Sequence, residues 1–262
     1  MRSKNGPVIN LYSKGTWSQK LDNGTEVKIS QETDYPVNGE VLISINLSKP
    51  ARFTVRLRIP SWSSNTLLWV NDETISCSAG TYASITREWK HGDKIRLEMD
   101  LRGRIIRSPG SINDMAVMRG PIVLALDNRM VKAENYNLWL LPDGTSWNYK
   151  DELGGLKYVL PKPCPSADTP EQYIKLTPVS NKPSDVWMAF EVPFLYRYTH
   201  FFDHKQINLV MCDYASAGNQ YDTKNLFRVW LSQPLFMNNI FPENTWRILY
   251  REGDTRPVIP SK

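Results

Sequence analysis

The amino-acid sequence predicts an all-β protein: an antiparallel β-sandwich with a loop-rich insertion or a second small β region. In the first half of the chain, apolar residues alternate with polar ones, most clearly over residues 53–59. Such alternation places one face of a strand on a core and the other in water. Asn23 and Gly24, and further on Asn38 and Gly39, are residues that favour turns between strands. Short strands separated by such turns are typical of a β-sandwich.

The same alternation marks further strands along the chain. These stretches are 27–29, 41–47, 94–99, 206–211 and 226–231. Apolar residues at helical spacing, with capping residues, are absent from the first half. The sequence also contains no repeat of fixed period, which argues against a solenoid or a propeller.

The composition of the chain changes after Leu126. The following segment is rich in Pro, Trp and Tyr and has few alternating runs, which predicts long loops. We therefore expect a β-sandwich at residues 7–127, a loop-rich insertion at 128–205, and closing strands with a tail at 206–262.

Composition and charge exclude several classes of protein. The 262 residues are 41% hydrophobic and 23% charged, which is the composition of a globular protein rather than a disordered one. The mean hydropathy is −0.43, and no apolar run approaches the roughly 18 residues that a membrane span requires. The net charge is +5, but basic and acidic residues alternate, as at Arg87 and Glu88. We therefore predict neither a membrane nor a nucleic-acid partner. The N-terminus lacks the apolar segment of a signal peptide, and the sequence does not define a compartment.

Cysteine and histidine give little support for a metal site. Cys77, Cys164 and Cys212 are far apart, and no CxxC pair is present, so buried thiols are expected. His200 and His204 are four residues apart, but the sequence around them leads into a strand. In an extended chain this spacing separates the two residues by about 13 Å, too far to share a ligand. No metal and no cofactor is predicted.

Carboxylates and aromatic rings are the remaining candidates for a site. Hydrolysis of a glycoside would need two carboxylates across a cleft. The acidic residues at strand ends and turns more often bond to the backbone; they are Glu32, Asp34, Glu40, Glu88 and Asp93. Exposed aromatic rings stack on the C–H faces of sugars. The loop residues Trp139, Trp147 and Tyr149 form the candidate carbohydrate-binding platform, whereas Trp69, Trp89 and Trp230 lie on alternating strands and are expected in the core.

Several motifs together resemble the β-sandwich part of glycoside hydrolase family 127, the β-L-arabinofuranosidase-like proteins. The matching motifs are Ile9-Asn10-Leu11-Tyr12, Gln31-Glu32-Thr33-Asp34-Tyr35-Pro36 with Gly39-Glu40-Val41, the run 53–62, Val70-Asn71, Tyr82, Arg87-Glu88-Trp89, Gly92-Asp93 and Arg119-Gly120-Pro121-Ile122-Val123. A weaker similarity lies at 213–219 and 227–230, and none is recognised over 128–205.

The resemblance implies an accessory role rather than catalysis. In that family an α/α toroid precedes the sandwich and carries a cysteine nucleophile and a zinc held by cysteines and a glutamate. An adjacent cysteine pair precedes the Asn-Leu-Tyr motif there. This chain has no such pair and no position that matches the nucleophile or the zinc ligands, so no catalytic residue is assigned and the chain is not expected to be an enzyme on its own.

The leading hypothesis is therefore a non-catalytic accessory domain that packs on a catalytic toroid, as a separate chain, a truncated product or a fragment. Asn10, Leu11 and Tyr12, nearest to the expected toroid, are the candidate domain-packing residues. The alternative is a free-standing carbohydrate-binding module that uses the loop aromatics, with a plant-type glycan as its ligand. A third hypothesis, an independent hydrolase using surface carboxylates, has the least support.

Overall fold

The computed structural model describes residues 2–3, 5–108, 114–132, 140–142, 172–197, 204–220 and 224–232. Over these residues the secondary structure is β-strand and turn, which confirms the predicted all-β class. No described helix is long and apolar enough to cross a membrane. The chain divides into two compact units, Met1–Leu101 and Arg102–Lys262.

The first unit is a sandwich of two sheets. Its strands are β1 (Arg2–Ser3), β2 (Gly6–Ile9), β3 (Gly15–Lys20), β4 (Glu26–Thr33), β5 (Glu40–Leu47), β6 (Ala51–Arg58), β7 (Leu67–Val70), β8 (Glu73–Thr74), β9 (Tyr82–Trp89) and β10 (Asp93–Glu98). One sheet has the order β1-β2-β6-β9 and the other β3-β4-β5-β10-β7-β8. All neighbours are antiparallel except β2 and β6, which run parallel.

The alternation seen in the sequence builds the core of this sandwich. In β6, Phe53, Val55 and Leu57 are buried, and they share one core with Ile29 and Ile43 from the other sheet. The opposite side of each strand meets water, so burial of one face drives the two sheets together.

A tryptophan fixes part of this core to the backbone. The Trp89 side chain is fully buried, and its ring stacks on Phe53 with centroids 5.9 Å apart. Its Nε1 also donates a hydrogen bond of 3.1 Å to the carbonyl oxygen of Phe53. The indole therefore has both its apolar ring and its polar N–H satisfied, as a buried tryptophan requires. The prediction that Trp89 lies in the core is confirmed.

The second unit is built on one sheet of ten strands. They are β11 (Gly103–Arg107), β12 (Asp114–Arg119), β13 (Ile122–Asp127), β14 (Leu140–Pro142), β15 (Gln172–Ile174), β16 (Thr177–Pro178), β17 (Ala189–Arg197), β18 (His204–Asp213), β19 (Phe227–Arg228) and β20 (Leu231–Ser232). The main order is β14-β17-β18-β13-β12-β11-β15, while β16, β19 and β20 pair with β17, β13 and β12. The longest pairing joins β17 and β18 over nine residues of each strand.

The unit boundary differs from the expected end of the sandwich at residue 127. Strands β11 to β13 pair with one another and with β15, β18, β19 and β20, all within the second unit. Alternation identifies a strand but does not say which distant strand it will pair with. Within the segment expected to be loops, β17 forms a long strand that includes Pro193, a residue that weakens the sequence signal for a strand.

Candidate functional site

The Asn10-Leu11-Tyr12 segment follows β2 directly and is held on both sides of Leu11. Tyr12 is buried, and its hydroxyl donates a hydrogen bond of 2.7 Å to the carbonyl oxygen of Arg58. Its ring meets that of Tyr35 edge-on, with centroids 6.3 Å apart. Burial raises the pKa of Tyr12, although the positive charge of Arg58 opposes this effect. Tyr12 is therefore part of the core of the first unit and anchors the segment.

Asn10 and Leu11 have different environments. Oδ1 of Asn10 accepts a hydrogen bond of 2.7 Å from the hydroxyl of Tyr82. Leu11 lies between two anchored residues, yet its side chain is 77% exposed. Of the three residues predicted to pack on another domain, Leu11 is the one that presents apolar surface to solvent.

A cleft of about 420 Å³ lies next to the Tyr35-Pro36 turn in the first unit. It is lined by Lys14, Glu32, Thr33, Asp34, Asn38, Glu40 and Leu42. Three of the acidic residues considered from the sequence thus line one depression. Its polar side chains also hold the turn, since Oδ1 of Asn38 accepts from the Glu40 amide at 3.1 Å. The hydroxyl of Thr33 donates to the Glu40 carbonyl at 2.5 Å.

The other candidate carboxylates lie apart from this cleft. Glu88 is exposed on β9 opposite Arg52. Asp93 accepts hydrogen bonds from the Lys90 amide at 2.9 Å and from Nδ2 of Asn71 at 3.2 Å. Asp93 therefore stabilises a turn, which is the role expected of an aspartate at that position.

The described residues bring together no group of three or more His, Cys, Asp or Glu side chains suited to a metal. His204 begins β18, whereas His200 and Cys164 lie outside the described residues. Cys77 is half-buried, and its thiol contacts the Thr66 carbonyl at 3.5 Å. Cys212 is fully buried, and burial, with the charges of Asp127 and Asp213, raises its pKa to about 12. A thiol with so high a pKa is a poor nucleophile near neutral pH.

The predicted carbohydrate platform of Trp139, Trp147 and Tyr149 lies outside the described residues. Of the tryptophans expected in the core, Trp69 lies on the outer face of its sheet, where the guanidinium of Arg96 stacks 4.0 Å from its ring centroid. Trp230 is also substantially exposed rather than buried. It lies between the short strands β19 and β20, where the chain bends and regular alternation is lost.

The second unit presents an aromatic face that the sequence did not single out. We define it by Trp187, Tyr214 and Phe227, which are 50%, 52% and 41% exposed. The Tyr214 and Phe227 rings are in contact, with centroids 5.8 Å apart. Phe227 also lies against Gly218, where an added Cβ would come within 2.7 Å of the ring. The absence of a side chain at Gly218 therefore allows Phe227 to take this position.

A partly buried ionic network of Asp127, Arg129 and Asp185 is connected to the aromatic face through Gly218. The Asp127 side chain is fully buried and bonds to Nε and Nη2 of Arg129 at 2.9 and 2.7 Å, and to the Gly218 amide at 3.3 Å. Arg129 also reaches Oδ2 of Asp185 through Nη1 at 2.6 Å. Burial raises the pKa of Asp127, but the hydrogen bonds from Arg129 and Gly218 outweigh it, so the net pKa lies below its usual value.

A second carboxylate ties the neighbouring loop to the sheet. Asp213 is buried, and its oxygens accept hydrogen bonds from the Ser216 hydroxyl, the Ser216 amide and the Met188 amide. The Ser216 hydroxyl in turn accepts from the Trp187 amide at 2.9 Å. The segments that carry Trp187 and Tyr214 are thus fixed by these hydrogen bonds, so the backbone positions from which the two side chains extend are well defined.

Comparison with known proteins connects the first unit to a family. Residues 7–101 match the family model described as the β-L-arabinofuranosidase GH127 middle domain. The resemblance to GH127 is confirmed. This match lies entirely within the first compact unit, and it includes the Asn10-Leu11-Tyr12 segment and the cleft. No curated protein matches the chain in sequence.

Solved structures share the fold over most of this chain. One described as a glycoside hydrolase has 24% identity and a TM-score of 0.65, and the match covers 88% of this chain and 36% of that protein's chain. A GH127 β-L-arabinofuranosidase from Geobacillus stearothermophilus T6 has 20% identity and a TM-score of 0.65, with 89% of this chain and 34% of that chain covered. A third, a GH127 β-arabinofuranosidase, has 21% identity and a TM-score of 0.57, with 88% of this chain and 35% of that chain covered. The chain thus spans about a third of the length of these three structures.

Proposed function

We propose that this chain is a non-catalytic accessory part of a GH127-type glycoside hydrolase, and that it packs on a catalytic toroid supplied by other residues. The observation that carries the proposal is the match of residues 7–101 to a domain described as the middle domain of that family. The similar solved structures support it, because about two thirds of each lies beyond the part that this chain covers.

The surface around Leu11 is the proposed contact with the toroid. Exposed leucine is common, but here the backbone on both sides is fixed by the side chains of Asn10 and Tyr12. A preordered apolar side chain loses little conformational entropy on binding. Fully burying a leucine stabilises a contact by about 1.5–3 kcal/mol.

We include two further exposed residues in this contact surface. Tyr82, the hydrogen-bond partner of Asn10, is 47% exposed, and Val37, also exposed, is two residues after Tyr35, whose ring contacts that of Tyr12. A stable protein interface buries about 1,200–2,000 Å² in total, so a single leucine is too small. Leu11, Tyr82 and Val37 supply apolar groups from three separate segments of the first unit.

Co-elution with a GH127 toroid tests this proposal. The full chain and a toroid produced as a separate polypeptide should form a complex in size-exclusion chromatography. Leu11→Glu should abolish the complex, because it buries a charge at the contact. Ser18→Glu is the matched control, since Ser18 is exposed on β3, and it should leave the complex intact. Equal binding by both variants would contradict the proposed contact, and the absence of a complex with the unmodified chain would contradict the accessory role.

The same preparation tests whether the chain is catalytic. The purified chain should not release the sugar from an aryl β-L-arabinofuranoside, with or without added zinc. Turnover that persists in a preparation of the Glu32→Gln, Glu40→Gln double variant would indicate a contaminant. Turnover by the unmodified chain that this variant loses would instead make the chain an enzyme that uses the carboxylates of the cleft.

A further inference from the structure

The aromatic face of the second unit has the composition of a ligand platform. Trp187, Tyr214 and Phe227 leave large parts of their rings in solvent, although apolar surface of this kind is usually buried when a place in the core is available. The Tyr214 and Phe227 rings contact each other, and Gly218 accommodates the edge of Phe227. The Tyr214 and Phe227 part of the platform is thus already assembled in the free protein.

The backbone under these rings is held by hydrogen bonds that a ligand need not provide. The Tyr214 amide donates to the Val123 carbonyl at 2.9 Å, within the sheet. Asn128 fixes the segment before Phe227, since its Oδ1 accepts from the Leu226 amide at 3.1 Å and its Nδ2 donates to the Lys224 carbonyl at 2.7 Å. A ligand that stacks on these rings therefore loses little affinity to ordering the protein.

The size of the face argues for a small ligand. An aromatic side chain contributes about 150–250 Å² when fully buried, so three rings that are about half exposed offer about 300 Å². A specific protein interface needs about 800 Å² from each partner. Two or three sugar rings match the available area, because each presents one flat C–H face to an aromatic ring.

Charge and polar groups favour a neutral ligand. Three carboxylates lie at or under this face, those of Asp127, Asp185 and Asp213. Four cationic residues accompany them: Arg129 in the network, Lys182, which donates to the Val186 carbonyl next to Trp187, and Lys224 and Arg228, which are close to Phe227 in sequence. Charges of both signs are thus interspersed, and Arg129 is already paired with Asp127 and Asp185, so no cluster of one sign is present to select an ionic ligand. Asp185 is paired with Arg129 and lies two residues before Trp187. Its carboxylate can therefore accept hydrogen bonds from the hydroxyl groups of a sugar near the rings.

We propose that the aromatic face of Trp187, Tyr214 and Phe227 binds a short neutral oligosaccharide by stacking on the Tyr214 and Phe227 rings. This site is formed by residues of the second unit, whereas the Leu11 surface is formed by residues of the first. It therefore does not depend on the proposed packing role.

Isothermal titration calorimetry on the full chain tests the site. The probes are a linear arabino-oligosaccharide and a galacto-oligosaccharide of three residues, with an oligogalacturonide of the same length as the anionic comparison. We expect saturable binding of at least one neutral probe, with a Kd on the order of 0.1–1 mM. Saturation by neither neutral probe, or tighter binding of the oligogalacturonide, would overturn the proposal.

Variants locate the binding site. Tyr214→Ala should weaken binding about tenfold, whereas Tyr214→Phe keeps the ring and should retain most of the affinity. Trp69→Ala is the control, because it removes a ring from the outer face of a sheet in the first unit and should have no effect on sugar binding. An unchanged affinity in Tyr214→Ala, with circular dichroism showing a folded chain, would overturn the site. Loss of sugar binding in Trp147→Ala alone would place the site on the 137–149 segment instead. If Tyr214→Ala lost toroid binding but kept its affinity for sugar, the aromatic face would be a protein interface.

Discussion

The hydroxyl of Tyr82 donates a hydrogen bond of 2.7 Å to Oδ1 of Asn10, across 72 residues of sequence. Asn10 follows the parallel strand β2, and Tyr82 begins β9, two strands away in the same sheet. The sheet thus fixes the side chain before Leu11, and the Tyr12 hydroxyl fixes the one after it. The exposed leucine is held in place by the fold and is not the tip of a loose segment.

Tyr12→Phe should destabilise the first unit by about 1 kcal/mol, because the Arg58 carbonyl loses its hydrogen bond. It should also change the alkaline response. Burial raises the pKa of Tyr12 above its ordinary value of 10.0. Above about pH 10 the Tyr12 phenol ionises in the unfolded chain but stays neutral in the folded one, which favours unfolding. The contribution of Tyr12 to the free energy of unfolding is therefore complete below about pH 10 and is lost as the pH rises.

Urea denaturation at a series of pH values from about 9 to about 11 measures this effect. The fall in unfolding free energy over that range should be shallower in Tyr12→Phe than in the unmodified chain. Thr54→Val serves as the control, because it removes a hydroxyl that is hydrogen-bonded to Thr86 at 2.8 Å but does not ionise in this range, so it should leave the slope unchanged. Parallel curves for Tyr12→Phe and the unmodified chain would show that Tyr12 does not contribute to the alkaline transition.

Trp89→Phe should destabilise the first unit by about 2 kcal/mol, because it removes the hydrogen bond to the Phe53 carbonyl and leaves a small cavity. Trp69→Phe is the matched control, since Trp69 lies at the surface over Arg96, and its change should stay within about 0.5 kcal/mol. Circular dichroism is the appropriate signal, because both changes alter tryptophan fluorescence. Similar losses in the two variants would contradict the different burial of the two rings.

Gly39→Ala should destabilise the first unit by about 1–3 kcal/mol. A Cβ at this position would lie 2.3 Å from the carbonyl oxygen of Met99, a backbone atom that cannot move without displacing the end of the sheet. Gly15→Ala provides the comparison, because a Cβ added at Gly15 would have nothing within 4 Å. Removing a glycine there should leave stability unchanged or raise it by about 0.5 kcal/mol. A chemical denaturation midpoint that falls in both variants would show that the contact with Met99 is not the cause.

Local pattern predicted the strands well where one side of a strand is polar. In β6 the burial follows the alternation of apolar and polar residues, with Val55 and Leu57 buried. In β7, however, Leu68, Trp69 and Val70 are all apolar, so alternation does not say that Trp69 is the one that faces outward. The second unit was harder to predict, because β13 pairs with β18, which lies more than 80 residues later. Tyr214 follows β18 and Phe227 lies in β19, and both strands pair with β13, so the two rings meet through long-range pairings that no spacing in the sequence reveals.

The Arg129 network provides the last prediction. Arg129→Met should destabilise the second unit by about 3 kcal/mol, because Asp127 would keep a buried carboxylate without its guanidinium partner. Lys175→Met, at an exposed position of the same unit, removes the same charge and should have little effect.

Acid should reduce the difference between Arg129→Met and the unmodified chain. In the unmodified chain the pKa of Asp127 is lowered, so its stabilising contribution is present above the ordinary aspartate pKa of 3.8 and is lost as the pH falls below it. In the variant, burial without the guanidinium raises the pKa of Asp127, and protonation relieves the unpaired charge as the pH falls. Denaturation from about pH 7 to about pH 4 should therefore show the two unfolding free energies converging. A constant difference over this range would indicate that Arg129 stabilises the unit through packing of its side chain, and not through its charge on Asp127.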